Sequence, residues 1–393
     1  MKKIVGILAA AAVLATSVFA ADVSASTKIK GNLFSYDNAK TFSLFSQAND
    51  SHDYANPNMT FSVSDDKAGA TIRFTTDGTK GDSIADIYSE LVCQTTQTIW
   101  FKPVDAFKVT VGNYDVALNK EQIKWTESTT GLGGNGFLFS VNVESFGLDF
   151  GMSQADNGSW FEKKDADDDA TIKAFFVKAA YSADFGTIGG FVEFNRAKAD
   201  RKTYGNVDRY FGIADGTREE LFGANRVMWG AKDGAIGDVF FGAGYRNNFD
   251  GIDLFVNLTG YMDDKFEWIR PEVYVSGAVD AFSYSAFVAP FIALDSDVKK
   301  AYDNAYDAEL SDDKAFECEV VAKVSYALDG FTVYGQFYDT NILRRKFTST
   351  IELGASGSIS AMGWKTWLEI NTGKGAEKDK VDIAVPFELT FNF

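Results

Sequence analysis

The last residues of the chain alternate between apolar and other side chains: Val381-Asp382-Ile383-Ala384-Val385-Pro386-Phe387-Glu388-Leu389-Thr390-Phe391-Asn392-Phe393. Every odd-numbered residue in this stretch is apolar, and most even-numbered residues are polar or small. A side-chain period of two predicts a β-strand with one apolar and one polar face. Strands of soluble proteins usually have about five or six residues, whereas a tilted membrane-spanning strand needs about 9–11. The length of this segment therefore favours a membrane strand.

The same alternation recurs at several places upstream. The apolar sets of five further segments are Phe107/Val109/Val111, Phe137/Phe139/Val141/Val143, Ile252/Leu254/Val256/Leu258, Val320/Ala322/Val324/Tyr326 and Phe347/Ile351/Leu353. Polar or small residues occupy most of the intervening positions. A pattern repeated this often predicts an all-β architecture built from amphipathic strands.

Short and long connections alternate between these segments. The short ones pair an acidic or polar residue with an aromatic or apolar one: Val104–Phe107, Glu144–Gly147, Ala183–Gly186, Phe249–Gly251, Val279–Phe282 and Leu328–Phe331. The longer polar stretches lie at about 115–135, 154–171, 196–235, 295–316 and 371–380. This alternation predicts a transmembrane antiparallel up-and-down β-barrel with short periplasmic turns and long extracellular loops. We expect about 16–18 strands, and the stretch Phe34–Asp65 leaves room for a further strand pair.

The N-terminus has the features of a secretory signal peptide. Two lysines, Lys2 and Lys3, precede an apolar run from Ile4 to Ala15, and small residues lead to Ala20. The run is too short for a membrane-spanning helix, which needs about 20 apolar residues. We therefore expect residues 1–20 to be cleaved and residues 21–393 to form a single barrel domain.

The charge of the mature chain excludes a nucleic-acid-binding function. Without residues 1–20 it has 36 basic and 55 acidic residues, whereas binding to phosphates needs a basic face. No later segment is apolar over the length that a membrane helix requires. A closed barrel is then the remaining way to satisfy every backbone polar group inside a membrane.

The closing segment also resembles the C-terminal signature of bacterial outer-membrane barrel proteins. The residues that carry this resemblance are Phe387, Leu389, Phe391 and the terminal Phe393. In length and strand count the chain looks like the general porins, although it has no recognisable constriction-loop motif. The resemblance implies an outer-membrane location and recognition of the last strand by the barrel assembly machinery. It also implies contact with outer-membrane lipids and the option of a homo-oligomer.

About 16 to 18 strands enclose an aqueous channel, whereas about eight enclose little more than packed side chains. We therefore expect a porin for passive diffusion of small hydrophilic solutes and ions. By side-chain parity, charges of both signs would line the pore in nearly equal numbers, which disfavours a strongly selective filter. The candidate lining residues are Arg73, Lys108, Glu144, Lys178, Glu193, Arg246, Glu272, Lys323, Glu352, Lys365, Glu369 and Glu388, with Asp253 and Glu319 by the same parity.

The excess of acidic residues falls mainly in two predicted loops, 154–171 and 295–317. One interpretation is a solvated surface that resists aggregation, and the other is an electronegative mouth that gives a weak cation preference. Calcium binding at Asp165–Asp169 is a third interpretation, but the segment lacks the glycine and the distal glutamate of an EF-hand. We expect no metal and no cofactor.

Cys93 and Cys318 are the only cysteines. They fall in distant predicted hairpins, which favours unpaired thiols over a disulfide.

The sequence does not favour an enzyme. Its single histidine, His52, lies in a polar stretch, and Gly354-Ala355-Ser356-Gly357-Ser358 does not have the spacing of a nucleophile elbow. The glycine-rich Gly131–Gly136 lacks the lysine of a phosphate-binding loop and is interpreted as a loop tip. Two alternatives to a porin stay open: a surface adhesin or structural barrel whose long loops bind ligands, and a soluble exported β-sandwich or solenoid.

Overall fold

A computed structural model describes the strands of the chain and part of their connections. The described residues are 21–36, 42–47, 58–76, 93–117, 122–123, 126–127, 131–152, 161–162, 171–172, 175–194, 239–262, 266–294, 316–339, 342, 349–372 and 381–392. The predicted signal peptide, His52, Phe393, Asp165–Asp169 and most of both acidic loops lie outside these residues. The described residues form strands and turns and contain no helix. None of them therefore forms a helix that is long and apolar enough to cross a membrane.

The strands of the first half of the chain include four very short ones outside the main sheet. In chain order they are β1 (Ala21–Tyr36), β2 (Phe42–Gln47), β3 (Asn58–Ser64), β4 (Ala68–Thr76), β5 (Cys93–Val104), β6 (Phe107–Ala117), β7 (Gln122–Ile123), β8 (Thr126–Glu127), β9 (Gly131–Val143), β10 (Phe146–Met152), β11 (Phe161–Glu162) and β12 (Thr171–Ile172).

The strands of the second half all belong to the main sheet. They are β13 (Phe175–Ala183), β14 (Gly186–Phe194), β15 (Val239–Phe249), β16 (Ile252–Met262), β17 (Phe266–Val279), β18 (Phe282–Ala293), β19 (Phe316–Leu328), β20 (Phe331–Asp339), β21 (Ser349–Ile359), β22 (Met362–Thr372) and β23 (Val381–Asn392).

The main sheet closes on itself into a barrel. Its strands pair antiparallel with their neighbours in chain order, and β1 pairs with β23 from Ser26–Asn392 to Tyr36–Ile383. β2 and β3 both pair with β1 along different parts of its length, so together they occupy one position in the ring. The barrel therefore has 18 strands, which confirms the expected antiparallel barrel and count. The described residues of the stretch left open for a further strand pair form the end of β1, then β2 and β3.

The six predicted short turns are confirmed, and all lie at one end of the barrel. Ser360–Ala361 adds another two-residue turn between β21 and β22 that the sequence did not indicate. In the turn after β15, Asp250 and Gly251 have φ values of 49° and 90°. Positive φ at both central residues is the requirement of a type I′ hairpin turn, which explains the Asp-Gly pair. We call this end the short-turn end.

Acidic side chains stabilise two turns at this end, the one between β3 and β4 and the one between β5 and β6. The backbone N–H groups of Lys67 and Ala68 donate hydrogen bonds of 2.7 and 2.8 Å to Asp65 Oδ1, which lowers the pKa of the Asp65 carboxyl. The Lys67 ammonium donates to the Asp105 carboxylate of the next short turn and forms an ion pair with it. This contact lowers the pKa of Asp105 and joins two neighbouring turns.

The two faces of the barrel wall differ as the alternation predicted. One face has large exposed apolar side chains, such as Leu353 at 57% and Ile99 at 56% of full exposure. The other has fully buried charged side chains, including Arg270 at 2% and Glu272 at 0%. A side chain on the outside of a single-layered wall has nothing above it to exclude water. The face that bears the buried charges is therefore the inner face.

Two local expectations differ from the structure. Gly131–Gly136, interpreted as a loop tip, forms the start of β9 and pairs with β6 from Gly131–Ala117 to Gly136–Gly112. Glu144, assigned by parity to the pore lining and also to a short connection, lies in the two-residue turn after β9 with a φ of 51°. In both cases the local sequence is compatible with a strand or with a turn. Pairing with the neighbouring strand decides where the strand begins or ends.

Candidate pore interior

All the predicted lining residues except Glu144 lie on strands and on the inner face. The register of the strands shows this placement, because paired residues on neighbouring strands point to the same face of the sheet. Lys178 is opposite Asp149, Glu272 is opposite Asn257, and Lys323 is opposite Gln336. The same reasoning places the others: Arg73, Lys108, Glu193, Arg246, Glu352, Lys365, Glu369 and Glu388.

The inner face divides into two halves along the barrel axis. Near the short-turn end it carries mainly small or hydroxylated side chains that are not fully buried: Ser182, Thr187, Gly189, Ser276, Ser283, Ser285, Ser325, Thr332 and Ser356. Towards the other end it carries large buried side chains, mainly aromatic: Tyr114, Phe176, Phe191, Phe240, Tyr261, Trp268, Tyr338 and Trp367. The interior is therefore lined mainly by small polar side chains near the short turns and by bulky side chains beyond them. We call these the small-residue half and the aromatic half.

Six inner-face residues of neighbouring strands form one buried apolar cluster in and beside the aromatic half. They are Phe255, Tyr274, Phe287, Ala289, Val321 and Tyr338. The rings of Phe255 and Tyr274 are stacked, with centroids 5.0 Å apart and planes inclined by 17°. Side-chain parity did not single these residues out, because it assumed that the inner face is polar throughout.

Several aromatic rings of the interior lie flat over glycine on the adjacent strand. A Cβ added to Gly242 would lie 2.3 Å from the Phe191 ring, and one added to Gly354 would lie 2.6 Å from Tyr334 Oη. At Gly151 the corresponding distance to the Phe176 ring is 2.9 Å. Each ring can lie against the wall only because the glycine beneath it has no side chain. These glycines therefore keep large side chains out of the lumen.

A buried ionic cluster crosses from β16 to β19 in the aromatic half. Arg270 Nη1 lies 3.1 Å from Glu272 Oε1, and Arg270 Nη2 donates a 2.6 Å hydrogen bond to Glu319 Oε2. Asn257 Nδ2 donates to Glu272 Oε2 at 3.2 Å, and the guanidinium lies over the Phe287 ring. Burying charges is costly unless they are paired and hydrogen-bonded. Each charge of the cluster has a partner of opposite sign, and Arg270 Nη2 and Asn257 Nδ2 add hydrogen bonds, so the cluster links β16, β17 and β19 on the inner face.

Sequence reasoning identified Glu272 and Glu319 but missed Arg270, on which both carboxylates depend. The alternation Trp268-Ile269-Arg270-Pro271-Glu272 contained the signal, since Arg270 has the same parity as Glu272. A proline inside this segment reads as an interruption of a strand, which obscured the pattern. In the structure Pro271 lies opposite Leu258 on the outer face.

Two further ion pairs lie closer to the short turns and are partly exposed. Arg246 holds Asp253 through two hydrogen bonds, Nε to Oδ1 at 3.1 Å and Nη2 to Oδ2 at 2.5 Å. Lys178 Nζ donates to Asp149 Oδ2 at 3.1 Å. Partly exposed pairs are worth little in stability. Within each pair the positive and the negative charge cancel, so neither pair adds net charge to the interior.

Lysine side chains also lie over aromatic rings. Lys323 and Lys365 lie over the Tyr334 ring, with Nζ 5.4 and 5.2 Å from its centroid. Lys365 also lies 4.5 Å from the centroid of Trp367, whose Nε1 donates to Glu369 Oε2 at 2.9 Å. On β6, Lys108 lies over the ring of Trp100 on β5, with Nζ 4.8 Å from the ring centroid. Such contacts hold an ammonium group against the wall.

Among the described residues, no group of three or more His, Cys, Asp or Glu side chains could hold a metal ion. Cys318 forms no disulfide with a described residue and has the parity of the outer face. The side chain of Cys93 lies outside the described part of the chain, so the expected absence of a disulfide stays a prediction.

Comparison with solved structures identifies the architecture. Over 95% of this chain and 96% of the other, the structure is similar to OccK3 (OpdO) of Pseudomonas aeruginosa, with a TM-score of 0.50 and 8% identity. The chain has the fold of the outer-membrane porins. The resemblance seen in the closing strand is thus confirmed at the level of the fold.

Other porin-fold structures match at lower scores. The outer-membrane protein OpdK of Pseudomonas aeruginosa gives a TM-score of 0.48 at 7% identity, over 95% of this chain and 99% of that one. A mutant of the Rh. blastica porin gives 0.43 at 13% identity, over 95% and 100%. No protein-family model and no curated protein sequence matches the chain.

Proposed function

We propose that this porin-fold protein is an outer-membrane channel for passive diffusion of small hydrophilic solutes and ions. The observation that carries the proposal is the small-residue half of an 18-stranded barrel whose outer face is apolar. A ring of this size is wide enough for water, and serine, threonine and glycine leave that width open. Lipids would cover the outer face, including Leu389 and Phe391 of the closing strand, which we propose as part of the assembly signal.

The charges of the interior support weak selectivity. Arg246–Asp253 and Lys178–Asp149 cancel locally, and Arg270 is matched by two carboxylates. A strongly selective filter would need a ring of one sign. Residues of both signs instead occur around the wall, so size and polarity would govern passage.

Single-channel recording in a planar lipid bilayer tests the proposal. We expect purified mature protein to give stepwise increases in current that persist under moderate voltage. A protein that inserts without conducting would contradict the channel and leave a structural or adhesive barrel. Protein that dissolves in buffer without detergent would contradict the membrane location as well.

Tryptophan in the small-residue half is expected to narrow the channel. Ser285 lies on the inner face between Ser276 and Lys323, so a large side chain there would project into the lumen. We expect Ser285→Trp to lower the single-channel conductance and Ser276→Trp/Ser285→Trp to lower it further. The control is Val288→Trp, an outer-face change on the same strand. Equal conductance of all three variants would place the conducting path elsewhere.

Ion selectivity gives a second functional prediction. The surplus of acidic residues in 154–171 and 295–317 leads us to propose a weak cation preference. Lys323 faces the interior, and no ion pair of Lys323 occurs among the described residues. Lys323→Glu is therefore expected to shift the reversal potential in a salt gradient further towards cations. Lys67→Glu, at an exposed turn, is the control. An anion-selective wild type would contradict the proposed preference.

A further inference from the structure

Two buried polar side chains on the inner face of β20 lack a hydrogen-bond partner. Tyr334 and Gln336 are each 8% exposed. Within the part of the chain that the structure describes, the Tyr334 hydroxyl and Gln336 Nε2 form no hydrogen bond. Buried polar groups are almost always hydrogen-bonded, so each unsatisfied one needs an explanation. Two such groups, two residues apart on one face of one strand, indicate a place that a ligand completes.

A third donor lies beside these two groups. Lys323 is opposite Gln336 on β19, and its Nζ lies 5.4 Å from the centroid of the Tyr334 ring. Its ammonium forms no ion pair with a described residue. The lysine side chain is long and flexible, so its ammonium can follow a bound solute. We call Lys323, Tyr334 and Gln336 the donor cluster, since each can donate to an oxygen atom.

A cavity adjoins the donor cluster on the side of the short turns. It has a volume of about 410 Å³, and its lining includes Thr332, Ser356 and Ser358. Thr332 precedes Tyr334 by two residues on the same face, and Ser356 is opposite Thr332. Sites for small molecules usually have volumes of about 300–1,000 Å³. A solute in this cavity would therefore lie within reach of both hydroxyl groups and the donor cluster.

The charges beside the donor cluster indicate the class of solute. Glu352 is opposite Gln336 on β21, and Glu369 is opposite Glu352 on β22, so an anion would meet two carboxylates. A cation or a zwitterion would need an available carboxylate. Both oxygens of Glu369 already accept hydrogen bonds, from Trp367 Nε1 and Asn371 Nδ2, and Glu352 is only 2% exposed. An uncharged solute avoids both costs.

We infer that the donor cluster and the adjoining cavity form a binding site for a small uncharged solute rich in hydroxyl groups, such as a monosaccharide. Oxygen atoms of the solute would accept hydrogen bonds from the donor cluster, and its hydroxyl groups would bond to the serine and threonine side chains of the cavity. The inference rests on the proposed channel, because solutes would reach the site through the lumen. It goes beyond that proposal, since passive diffusion requires no binding site.

Block of the ion current by glucose tests the site. In planar bilayers, we expect glucose to reduce the current through wild-type channels in a saturable manner. Tyr334→Phe/Gln336→Leu should raise the half-blocking concentration about tenfold, because it removes two hydrogen bonds to the solute. Tyr274→Phe is the control, since it removes a hydroxyl from the inner face three strands away. An unchanged half-blocking concentration in the double variant, or a stronger block by acetate or glycine than by glucose, would overturn the inference.

The stability of the solute-free protein gives a second measurement. A buried polar group without a partner is destabilising, so its apolar replacement is expected to leave the urea midpoint of unfolding unchanged or to raise it. A double variant that unfolds at markedly lower urea, or does not fold, would show that the two groups serve the fold. That result would overturn the inference.

Saturation-transfer NMR of glucose with detergent-solubilised protein separates the site from the channel, because it does not require conduction. We expect transfer to glucose with the wild type and much less with the double variant. Binding without conduction would contradict the proposed channel and leave the site. Conduction without binding would overturn the inference and leave the channel.

Discussion

Phe255→Ala is expected to lower the free energy of unfolding by about 3–5 kcal/mol, the usual cost of removing a fully buried aromatic side chain. Phe255 is 0% exposed and stacks on Tyr274 within the buried apolar cluster. Its location on the inner face of a wide barrel makes the size of the effect informative. A ring bathed in lumen water would lose little on truncation, whereas a ring in a packed interior leaves a cavity.

Val256→Ala is the matched control, since Val256 is the next residue and lies 42% exposed on the outer face. Urea titration of both variants in lipid vesicles, followed by tryptophan fluorescence, gives the comparison. A loss for Phe255→Ala no larger than that for Val256→Ala would show that this part of the interior is not packed, and the division into two halves would fail.

Arg270→Met is expected to lower the free energy of unfolding by about 3–5 kcal/mol, because it leaves buried carboxylates without their cation. Arg270 contacts both Glu272 and Glu319, and Glu272 is 0% exposed. The change keeps an unbranched side chain of similar length against Phe287. The loss would therefore report on charge more than on packing.

The triple variant Arg270→Met/Glu272→Gln/Glu319→Gln separates those contributions. The triple variant buries no charge, so we expect it to recover most of the lost free energy of unfolding. Buried ion clusters often contribute little more stability than neutral groups of similar shape. The same urea titration in vesicles measures both. If the triple variant is as unstable as the single one, the guanidinium acts through packing against its neighbours and not through the two carboxylates.

Both predictions also concern transport, because small and large inner-face side chains are distributed unequally along the barrel axis. In the proposed channel, serines and glycines near the short turns would leave room for solutes, whereas ring packing and a buried ionic cluster stabilise the aromatic half. Variants that change conductance are therefore expected in the small-residue half. Variants that change stability are expected in the aromatic half. Ser285→Trp and Phe255→Ala should thus have opposite profiles in the two assays.

The sequence alone determined most of the strands, six of the short turns and the face on which most of the charged strand residues lie. These are local properties: a side-chain period of two is visible in Val381–Phe393, and Asp250–Gly251 meets the backbone requirement of a tight hairpin. Parity placed Lys178, Glu272 and Lys323 on one face because a continuous strand alternates without reference to its neighbours. Glu144 was misplaced where the strand ended in a turn.

Only the tertiary structure decided which residues meet. Arg270 and Glu319 are 49 positions apart, and no local pattern links them. The inward Phe255 and Phe287 could not be recognised from a rule that assigns apolar residues to lipid, because their burial depends on neighbours across four strands. The same holds for the joint position of β2 and β3. Strand periodicity is a property of consecutive residues, whereas pairing and packing depend on chain segments that meet only when the barrel closes.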